Sequence, residues 1–475
     1  MKNEHQTGLM HWLFRPVPGH SVAVLRIVMG ALLLFESVNY GVFHCLDCAY
    51  RDTAYLFKYR YFDWVSLPPI GGVEILMFVM GISSIGVMLG WYYRVSVVVT
   101  TACFAWYFLL DAALYLNHYY LTLLFMGILC CIPANRVWAL DAKRLGFSPY
   151  IGNWSRIWLI VQLEIVLIYA GVVKLNPDWL QLEPLRLWMT SLSANSGPLM
   201  QWLTQDAGIA FAAYGVIALH IIGAPLLMFA RTRLPVFCLY LVFHTINASV
   251  FNIGIFPFMT AAATTLFFAP DWPITLWSRI RGKNGAKVSP NALEPEHDTA
   301  KKLNPGLDEF RTSGALKLLI TTVVGGWLFI QVVLPTRPLW YPGPVAWNEA
   351  GHYLSWRMKL RDKRGTLKYA VTNKKTSELN TRDPFDYLTR RQALKMACNP
   401  DLIWQFAQKL EELEISAAKD ESVTPEDISI VASTSCSLNT RKRQILIQSV
   451  DLTAIERSLP REQWVTELTE PLPKR

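Results

Sequence analysis

The chain has 475 residues, 52% of them apolar, with 18 tryptophans and a formal net charge of +9. Several windows of about 18–22 residues carry almost no charge, and this is the length that crosses the hydrocarbon core of a bilayer. The pattern excludes an ordinary soluble protein. The positive charge does not indicate nucleic-acid binding, because the basic residues fall in short loops between apolar runs, where they orient a membrane protein.

About nine apolar runs follow one another between residues 21 and 334. The segment before the first run and the loops after the second, fourth, sixth and eighth runs are basic, which predicts that they are cytoplasmic. The first run is long and lacks a small-x-small cleavage pattern, so we expect a retained helix and not a signal peptide. The N-terminus is then predicted to be cytoplasmic and the C-terminal part to lie outside.

The composition changes near residue 335, where the apolar runs end. We predict a mainly α protein, in which residues 1–335 form a polytopic transmembrane helical bundle of about nine helices with a cytoplasmic loop at 282–313. Residues 336–475 are predicted to form a small extracytoplasmic α+β domain. Its expected elements are one hairpin at 353–360 and 366–371, a second at 428–437 and 444–451, and a helix over 388–413 interrupted at Asn399 and Pro400.

Lys174 lies at the outer end of the fifth apolar run, just before Pro177 closes that run. In one interpretation the lysine snorkels, with its stem in lipid and its ammonium among the headgroups, as most lysines at helix ends do. In the other it sits at the mouth of a cavity, where partial desolvation favours the neutral amine and makes it a usable base. The residue alone leaves both interpretations open.

More polar residues are predicted at the same outer ends of helices. They are Glu36 and Asn39 in the first run, Asn117 and His118 before the fourth, and His244, Asn247, Ser249 and Asn252 in the seventh. Each has a simpler explanation as a turn cap, a headgroup contact or an interhelical hydrogen bond. Asp111, Tyr115 and His118 would share a face if one helix continued through them. A polar cluster that opens outward suits a lipid-soluble ligand with a polar head, such as a quinol.

The eight cysteines form no metal-ligand set with histidines, so no metal is predicted. Four of them are expected on the outer side, namely Cys45, Cys48, Cys398 and Cys436. Four thiols allow three pairings, and the sequence does not choose among them. Cys45 and Cys48 form a Cys-x-x-Cys pair, for which a redox-active, a structural and an unpaired state are all open.

Several stretches of the chain, in consistent order, resemble the vitamin K-dependent γ-carboxylase family in its shorter, bacterial-type form with an HTTM-type membrane domain. They are Tyr-Ala-Gly-Val-Val-Lys-Leu-Asn-Pro-Asp-Trp at 169–179, Leu-Asn-His-Tyr-Tyr-Leu at 116–121, Phe-His-Thr-Ile-Asn at 243–247, Asn-Ile-Gly-Ile-Phe-Pro at 252–257, Ala-Pro-Asp-Trp-Pro at 269–273 and Leu-Ser-Trp-Arg-Met-Lys-Leu-Arg at 354–361. The resemblance covers about residues 15 to 451.

The resemblance implies a multi-pass enzyme of a bacterial plasma membrane that uses reduced vitamin K, O2 and CO2 and no metal. Lys174 would take a proton from the hydroquinone, and oxygen would then add to give an alkoxide base. That base would remove a γ-proton from a glutamate, the carbanion would capture CO2, and the quinol would leave as its epoxide. His118 is the second catalytic residue implied. The cofactor-binding residues implied are Asn117, His244, Asn247 and Tyr169.

The expected partners are the bilayer, a lipid-soluble quinol and a glutamate-containing protein or peptide, and no nucleic acid. Relatives that modify clotting proteins carry an extended lumenal region that grips a substrate propeptide, which is expected to be truncated or missing here. Carboxylation and quinol oxidation alone are therefore both open. Outside this family, the chain could be a transporter or a non-catalytic scaffold, although it has no inverted repeat or Gly/Pro-broken helix pair of the kind transporters use.

Overall fold

The structure is a computed structural model that describes residues 8–43, 50–69, 71–190, 197–251, 253–281, 313–418, 422–457 and 463–473. Cys45, Cys48, Asn252 and nearly all of the predicted loop at 282–313 lie outside the described residues.

Helices make up most of the described chain. In chain order they are α1 (Leu9–Phe14), α2 (His20–Val38), α3 (Gly72–Leu89), α4 (Tyr93–Leu109), α5 (Asn117–Cys131), α6 (Leu140–Leu145), α7 (Asn153–Val172), α8 (Pro177–Leu180), α9 (Leu185–Thr190), α10 (Pro198–Leu203), α11 (Asp206–Ala218), α12 (Ala224–Leu226), α13 (Arg233–Val250), α14 (Phe256–Thr264), α15 (Trp272–Ile280), α16 (Gly314–Val333), α17 (Val345–Asn348), α18 (Arg390–Met396) and α19 (Pro400–Ala417). Two π-helical segments, Asn39–Phe43 and Leu219–Gly223, extend α2 and α11.

Six helical stretches of the described chain are long and apolar enough to cross a membrane. They are His20–Phe43, Gly72–Leu89, Asn153–Val172, Asp206–Leu226, Arg233–Val250 and Gly314–Trp340. Three shorter apolar stretches are Tyr93–Leu109, Asn117–Cys131 and Phe256–Phe267. The expected membrane helices are thus present, and nine complete crossings stay a prediction.

The bundle is built by neighbouring helices, with α2 against α3, α3 against α4 and α4 against α5. Gly30 lets α2 and α3 approach closely, because a Cβ there would lie 2.6 Å from the backbone nitrogen of Met88. α7 is the central helix and contacts α14, α16 and the π-helical segment after α11. Large apolar side chains of α3, α11, α13 and α16 stay exposed on the outside, as expected for helices that face lipid.

The C-terminal part contains a three-stranded antiparallel sheet in the order β4-β3-β5, formed by β3 (Lys363–Asn373), β4 (Glu378–Arg382) and β5 (Ile428–Leu438). Two short strands, β1 (Pro16–Pro18) and β2 (Tyr150–Gly152), pair in the membrane part. α19 packs on β5, and Tyr369 of β3 donates a hydrogen bond of 2.9 Å to the carbonyl of Ile403. A disulfide between Cys398 and Cys436 joins the start of α19 to β5.

The first predicted hairpin is wrong, and the second is present only as isolated antiparallel bridges between β5 and residues 444–451. β3 begins only at Lys363, because Leu354, Trp356 and Lys359 have positive φ angles of 60°, 55° and 52° that interrupt an extended strand. β5 pairs with β3 along its whole length, and residues 444–451 reach β5 only through isolated bridges. The predicted helix interruption is confirmed, since the Asn399 side chain caps α19 and Pro400 occupies its first turn.

The expected shared face of Asp111, Tyr115 and His118 is also wrong, because α4 ends at Leu109 and α5 begins at Asn117. Asp111 instead accepts hydrogen bonds from the Ala113 backbone at 2.9 Å and from Gln392 Nε2 at 2.8 Å. It therefore ties the membrane part to α18 of the C-terminal part.

Candidate active site

A cavity of about 960 Å³ lies between the membrane helices and the C-terminal sheet. Its apolar wall comes mainly from α7, α11 and α13, and its polar wall comes from the start of α5 and from residues 349–363. Five residues predicted from the sequence line this one cavity, namely Asn117, His118, Lys174, His244 and Asn247. Tyr169 is not among its lining residues; its hydroxyl donates instead to the carbonyl of Val332 on α16, at 2.5 Å.

Lys174 follows the end of α7 by two residues and is 6% exposed. Its Nζ donates to the carbonyl of Ala170 at 2.6 Å and lies 5.2 Å from the centre of the Trp179 ring. No carboxylate pairs with Lys174 within the described part of the chain. Burial lowers the pKa of Lys174 from 10.5 to about 8, because water cannot solvate the ammonium. The amine is therefore available as a base near neutral pH.

The residues after Lys174 explain why the chain turns at this point. The Asn176 side chain donates to the carbonyl of Val173 at 2.9 Å and accepts from the backbone of Trp179 at 3.1 Å, so it caps the end of α7 and the start of α8. Pro177 fits the first position of α8. Trp179 is held by its Nε1, which donates to the carbonyl of Ala213 on α11.

Asp178 links this turn to the C-terminal part. Both of its carboxylate oxygens pair with the guanidinium of Arg441, at 2.6 and 2.7 Å, and Asn439 donates to the same carboxylate. The two ion-pair partners are only 14% and 11% exposed. The pair therefore fixes the turn that carries Lys174 to the domain that closes the cavity.

His220 lines the cavity from the π-helical segment Leu219–Gly223. It is 4% exposed, and its Nδ1 lies 2.8 Å from the carbonyl of Val216. Because a carbonyl only accepts, Nδ1 carries the proton in that contact. Gly171 allows the approach of α7 to this π-helical segment, since a Cβ at Gly171 would lie 2.9 Å from the Cβ of His220.

Asn117 and His118 form the first turn of α5. The Tyr115 hydroxyl donates to Oδ1 of Asn117 at 3.0 Å and accepts from the Leu354 backbone at 2.9 Å, so the C-terminal part orients this turn. The ring of His118 packs edge-on against Tyr119 with centroids 4.9 Å apart. Both residues line the cavity.

His244 stacks on Tyr240 with ring centroids 6.0 Å apart, and its Nδ1 lies 3.4 Å from the Thr260 hydroxyl. Its Nε2 is buried and has no hydrogen-bond partner among the described residues. An unpaired ring nitrogen at the wall of a cavity is suited to a ligand hydroxyl. Glu36 does not line the cavity; it accepts a hydrogen bond of 2.9 Å from Tyr119.

The C-terminal part contributes charged residues that sequence reasoning missed. Those on the cavity wall are Glu349, Arg357, Lys359, Arg361, Asp362, Lys363 and Lys395. The sequence does contain a pattern that marks some of these residues, because residues 357–363 read Arg-Met-Lys-Leu-Arg-Asp-Lys, with a cation at every second position. The pattern resembles an ordinary solvated strand, and only the fold directs it toward the membrane cavity.

Comparison with protein families adds two matches. Residues 14–272, more than half of the chain, match the HTTM domain, and residues 316–471 match the vitamin K-dependent gamma-carboxylase lumenal domain. The chain belongs to the vitamin K-dependent γ-carboxylase family. In this γ-carboxylase homologue the HTTM match precedes the lumenal-domain match along the chain. No solved structure matches the chain.

Membership in this family also supports the expected membrane location, cofactor and class of substrate. The family is membrane-associated and uses reduced vitamin K, and its name points to a carboxylase that acts on a glutamate-containing substrate. The matched lumenal domain contains the sheet, the disulfide and the cationic wall of the cavity. The candidate site of this γ-carboxylase homologue therefore lies where its two family domains meet.

Proposed function

We propose that this chain is a membrane vitamin K-dependent γ-glutamyl carboxylase that couples quinol oxygenation to glutamate carboxylation, with Lys174 as the base that accepts a proton from the quinol hydroxyl. The observation that carries the proposal is the state of the Lys174 amine. It is buried at the wall of a large cavity, pairs with no carboxylate of the described chain and has a pKa lowered to about 8. Such an amine is matched to proton abstraction near neutral pH.

The cavity fits the head and tail of a naphthoquinol. The apolar walls of α11 and α13 suit an isoprenoid tail, and the unpaired Nε2 of His244 suits a quinol hydroxyl. We assign Asn117, His118 and Asn247 to the same quinol pocket, with His118 as the second catalytic residue. The predicted role of Tyr169 is reduced to an indirect one, because its hydroxyl holds α16 against α7.

When bound, reduced vitamin K would supply, together with O2, the strong base that glutamate chemistry requires, and CO2 would supply the new carboxyl group. The protein would orient the quinol, hold the first proton on Lys174 Nζ and exclude water. Exclusion matters because a base strong enough for a carbon-bound proton is quenched by water. Trp179, which lies over the amine and is 4% exposed, contributes to this exclusion.

Carboxylation is favoured over quinol oxidation alone by the charged wall of the C-terminal part. A cavity used only by a neutral quinol has no need of cations, whereas a glutamate side chain does. A transporter or scaffold gives no reason for a buried lysine whose pKa is lowered to about 8. For the topology, we propose that the N-terminus and residues 282–313 are cytoplasmic and that residues 336–475 lie outside a bacterial plasma membrane.

The deciding experiment supplies the purified protein with vitamin K hydroquinone, O2, labelled CO2 and a glutamate peptide, and it measures epoxide and incorporated label. Lys174→Ala should lose both products, and Lys143→Ala, which changes an exposed lysine on α6, should lose neither. No epoxide from the unaltered protein would refute the oxygenase. Epoxide without label would leave quinol oxidation alone, and full activity of Lys174→Ala would refute the assigned base.

A further inference from the structure

Under the proposed function, the active site loses one proton in every turnover. Oxygenation of a quinol by O2 yields the epoxide and one water, and replacing a γ-hydrogen of glutamate with CO2 yields a carboxylate and one proton. Lys174 would hold a proton of the quinol, yet its amine is 6% exposed and lies beside the ring of Trp179. The exclusion of water that protects a strong base also hinders loss of this proton to bulk solvent. The amine therefore needs a proton acceptor inside the protein.

Glu164 is a buried acid of the membrane part that the proposed reaction has not used. Both of its carboxylate oxygens are shielded from solvent, and neither has a hydrogen-bond partner among the residues that the structure describes. It lies within Asn153–Val172, one of the stretches that are long and apolar enough to cross a membrane. An ionisable side chain at such a position is costly and is typical of a proton or ion pathway.

Glu164 lies on the same face of α7 as Lys174. Glu164, Gly171 and Lys174 are spaced by seven and three residues, which places them along one side of a helix. The backbone of Lys174 donates to the carbonyl of Gly171 at 3.0 Å, so the helical turn continues to this residue. Ten residues of helix rise about 15 Å, so a proton cannot pass directly from Lys174 to Glu164. A carrier is needed between them.

His220 lies beside α7 between the levels of these two residues. It packs against Gly171, where a Cβ would lie 2.9 Å from the Cβ of His220. His220 lines the cavity together with Lys174, and the charge of Lys174 acts on its ring. Because Nδ1 of His220 carries a proton toward the Val216 carbonyl, Nε2 of the neutral ring can accept a second proton.

Tyr240 of α13 is a neighbour of both His220 and Glu164. Its ring packs edge-on against His220, with centroids 5.7 Å apart, and it interacts electrostatically with Glu164. Its hydroxyl donates to the carbonyl of Leu219 at 3.0 Å. Leu219 begins the π-helical segment, and π-helical turns inside α-helices occur frequently at functional sites. This segment therefore supplies both His220 and the carbonyl that holds Tyr240 beside it.

We propose that Glu164 accepts the proton that Lys174 takes from the quinol, with His220 as the carrier and Tyr240 as the residue that positions His220. One N–H bond of the Lys174 ammonium breaks and Nε2 of His220 takes the proton, which then moves to a carboxylate oxygen of Glu164. The electron pairs stay on the nitrogen atoms, so no oxidant or reductant is needed. Lys174 is again a neutral amine, and Glu164 loses the proton to solvent before the next turnover. The inference rests on the proposed function, because that function supplies the proton.

The test compares the first turnover with later ones in the full-length protein in detergent. The protein is mixed rapidly with vitamin K hydroquinone, O2, CO2 and a glutamate peptide, and epoxide is measured over time. In Glu164→Gln the first equivalent of epoxide should form within about twofold of the unaltered rate, whereas later turnovers should slow at least about tenfold. A rapid first turnover also shows that the variant is folded. Later turnovers at the unaltered rate, or slowing of the first turnover as well, would overturn the proposal.

Glu74→Gln is the matched control, because Glu74 lies in the first turn of another membrane helix, α3, and pairs with Arg51 at 3.3 Å. It should leave both phases unchanged. Imidazole is a small base that can carry protons in place of a missing carboxylate, so it should restore the later turnovers of Glu164→Gln to within about threefold of the unaltered rate. A slow phase that imidazole does not change would refute the role in proton transfer.

A second measurement needs no turnover. Infrared difference spectra are recorded when vitamin K hydroquinone is added to the protein without O2. The unaltered protein should gain the carbonyl stretch of a protonated carboxyl group, and both Glu164→Gln and Lys174→Ala should lack this band. A band that persists in Glu164→Gln, or its absence from the unaltered protein, would assign the proton to another group.

Failure of this inference is distinct from failure of the proposed function. No epoxide from the unaltered protein would remove the proposed function. Epoxide formation in which Glu164→Gln sustains every turnover would retain Lys174 as the base and remove only the role of Glu164.

Discussion

The rate of quinol oxygenation should rise with pH through an inflection near 8, because only the neutral amine of Lys174 accepts a proton. With a pKa of about 8, the neutral fraction is about one tenth at pH 7, one half at pH 8 and nine tenths at pH 9. An ordinary lysine with a pKa of 10.5 would be neutral in only about one molecule in 3,000 at pH 7. Burial therefore raises the usable fraction about 300-fold, which corresponds to about 3 kcal/mol of unfavourable ammonium burial.

The assay is the initial rate of epoxide formation between pH 6.5 and 9.5 at saturating quinol. Trp179→Leu tests whether burial lowers the pKa of Lys174. Removing the indole over Nζ should admit water and move the inflection toward higher pH. Trp327→Leu is the matched control, because that indole donates to Gln162 away from Lys174. A rate that is flat from pH 7 to 9, or an inflection that Trp179→Leu does not move, would refute the reasoning.

Three other changes test how the site is built. Asp178→Asn removes one charge of the pair with Arg441, so the free energy of unfolding should fall by about 2 kcal/mol and epoxide formation should fall as well. Unchanged activity would refute the idea that this pair positions Lys174. Cys398→Ser opens a disulfide across 38 residues, so thermal unfolding in detergent should show a loss of about 3–4 kcal/mol, and a loss below about 1 kcal/mol would contradict this. Gly171→Val should destabilise the protein by about 1–3 kcal/mol, because a Cβ there meets atoms within 2.9 Å, whereas Gly325→Val meets nothing within 4 Å and should be neutral; equal unfolding temperatures would refute the packing argument.

The membrane part could be predicted well because its signals are local. Apolar length and basic loops identify the membrane helices. In the C-terminal part, Asn399 with Pro400 likewise marks the start of α19, because capping depends on adjacent residues. The convergence of Asn117, His118, Lys174 and His244 on one cavity followed from placing their helices in one leaflet. Assigning these residues to helix ends on one side of the bundle was therefore sufficient to predict that they line one cavity.

The C-terminal part was harder to predict because its strands and side chains contact segments that are distant in the sequence. Residues 353–360 alternate like a strand, yet three of them have positive φ angles, so the segment is irregular. Trp356 anchors it by stacking against Tyr120. Nothing in the alternation reveals that contact, which joins residues 236 positions apart. For the same reason the cations of this segment read as a solvated face and not as a cavity wall.

The stretch at 169–179 combines two tasks that the sequence alone does not separate. Lys174 faces the membrane cavity, and four residues later Asp178 grips Arg441 of the C-terminal part. A helix that simply ended with a snorkelling lysine would need neither a double cap at Asn176 nor an ion pair across domains. The turn is held on both sides, by the Asn176 caps and by the Asp178–Arg441 pair, and under the proposed function this fixes the amine against the quinol hydroxyl. Domain closure and the position of the base are thus set by the same few residues.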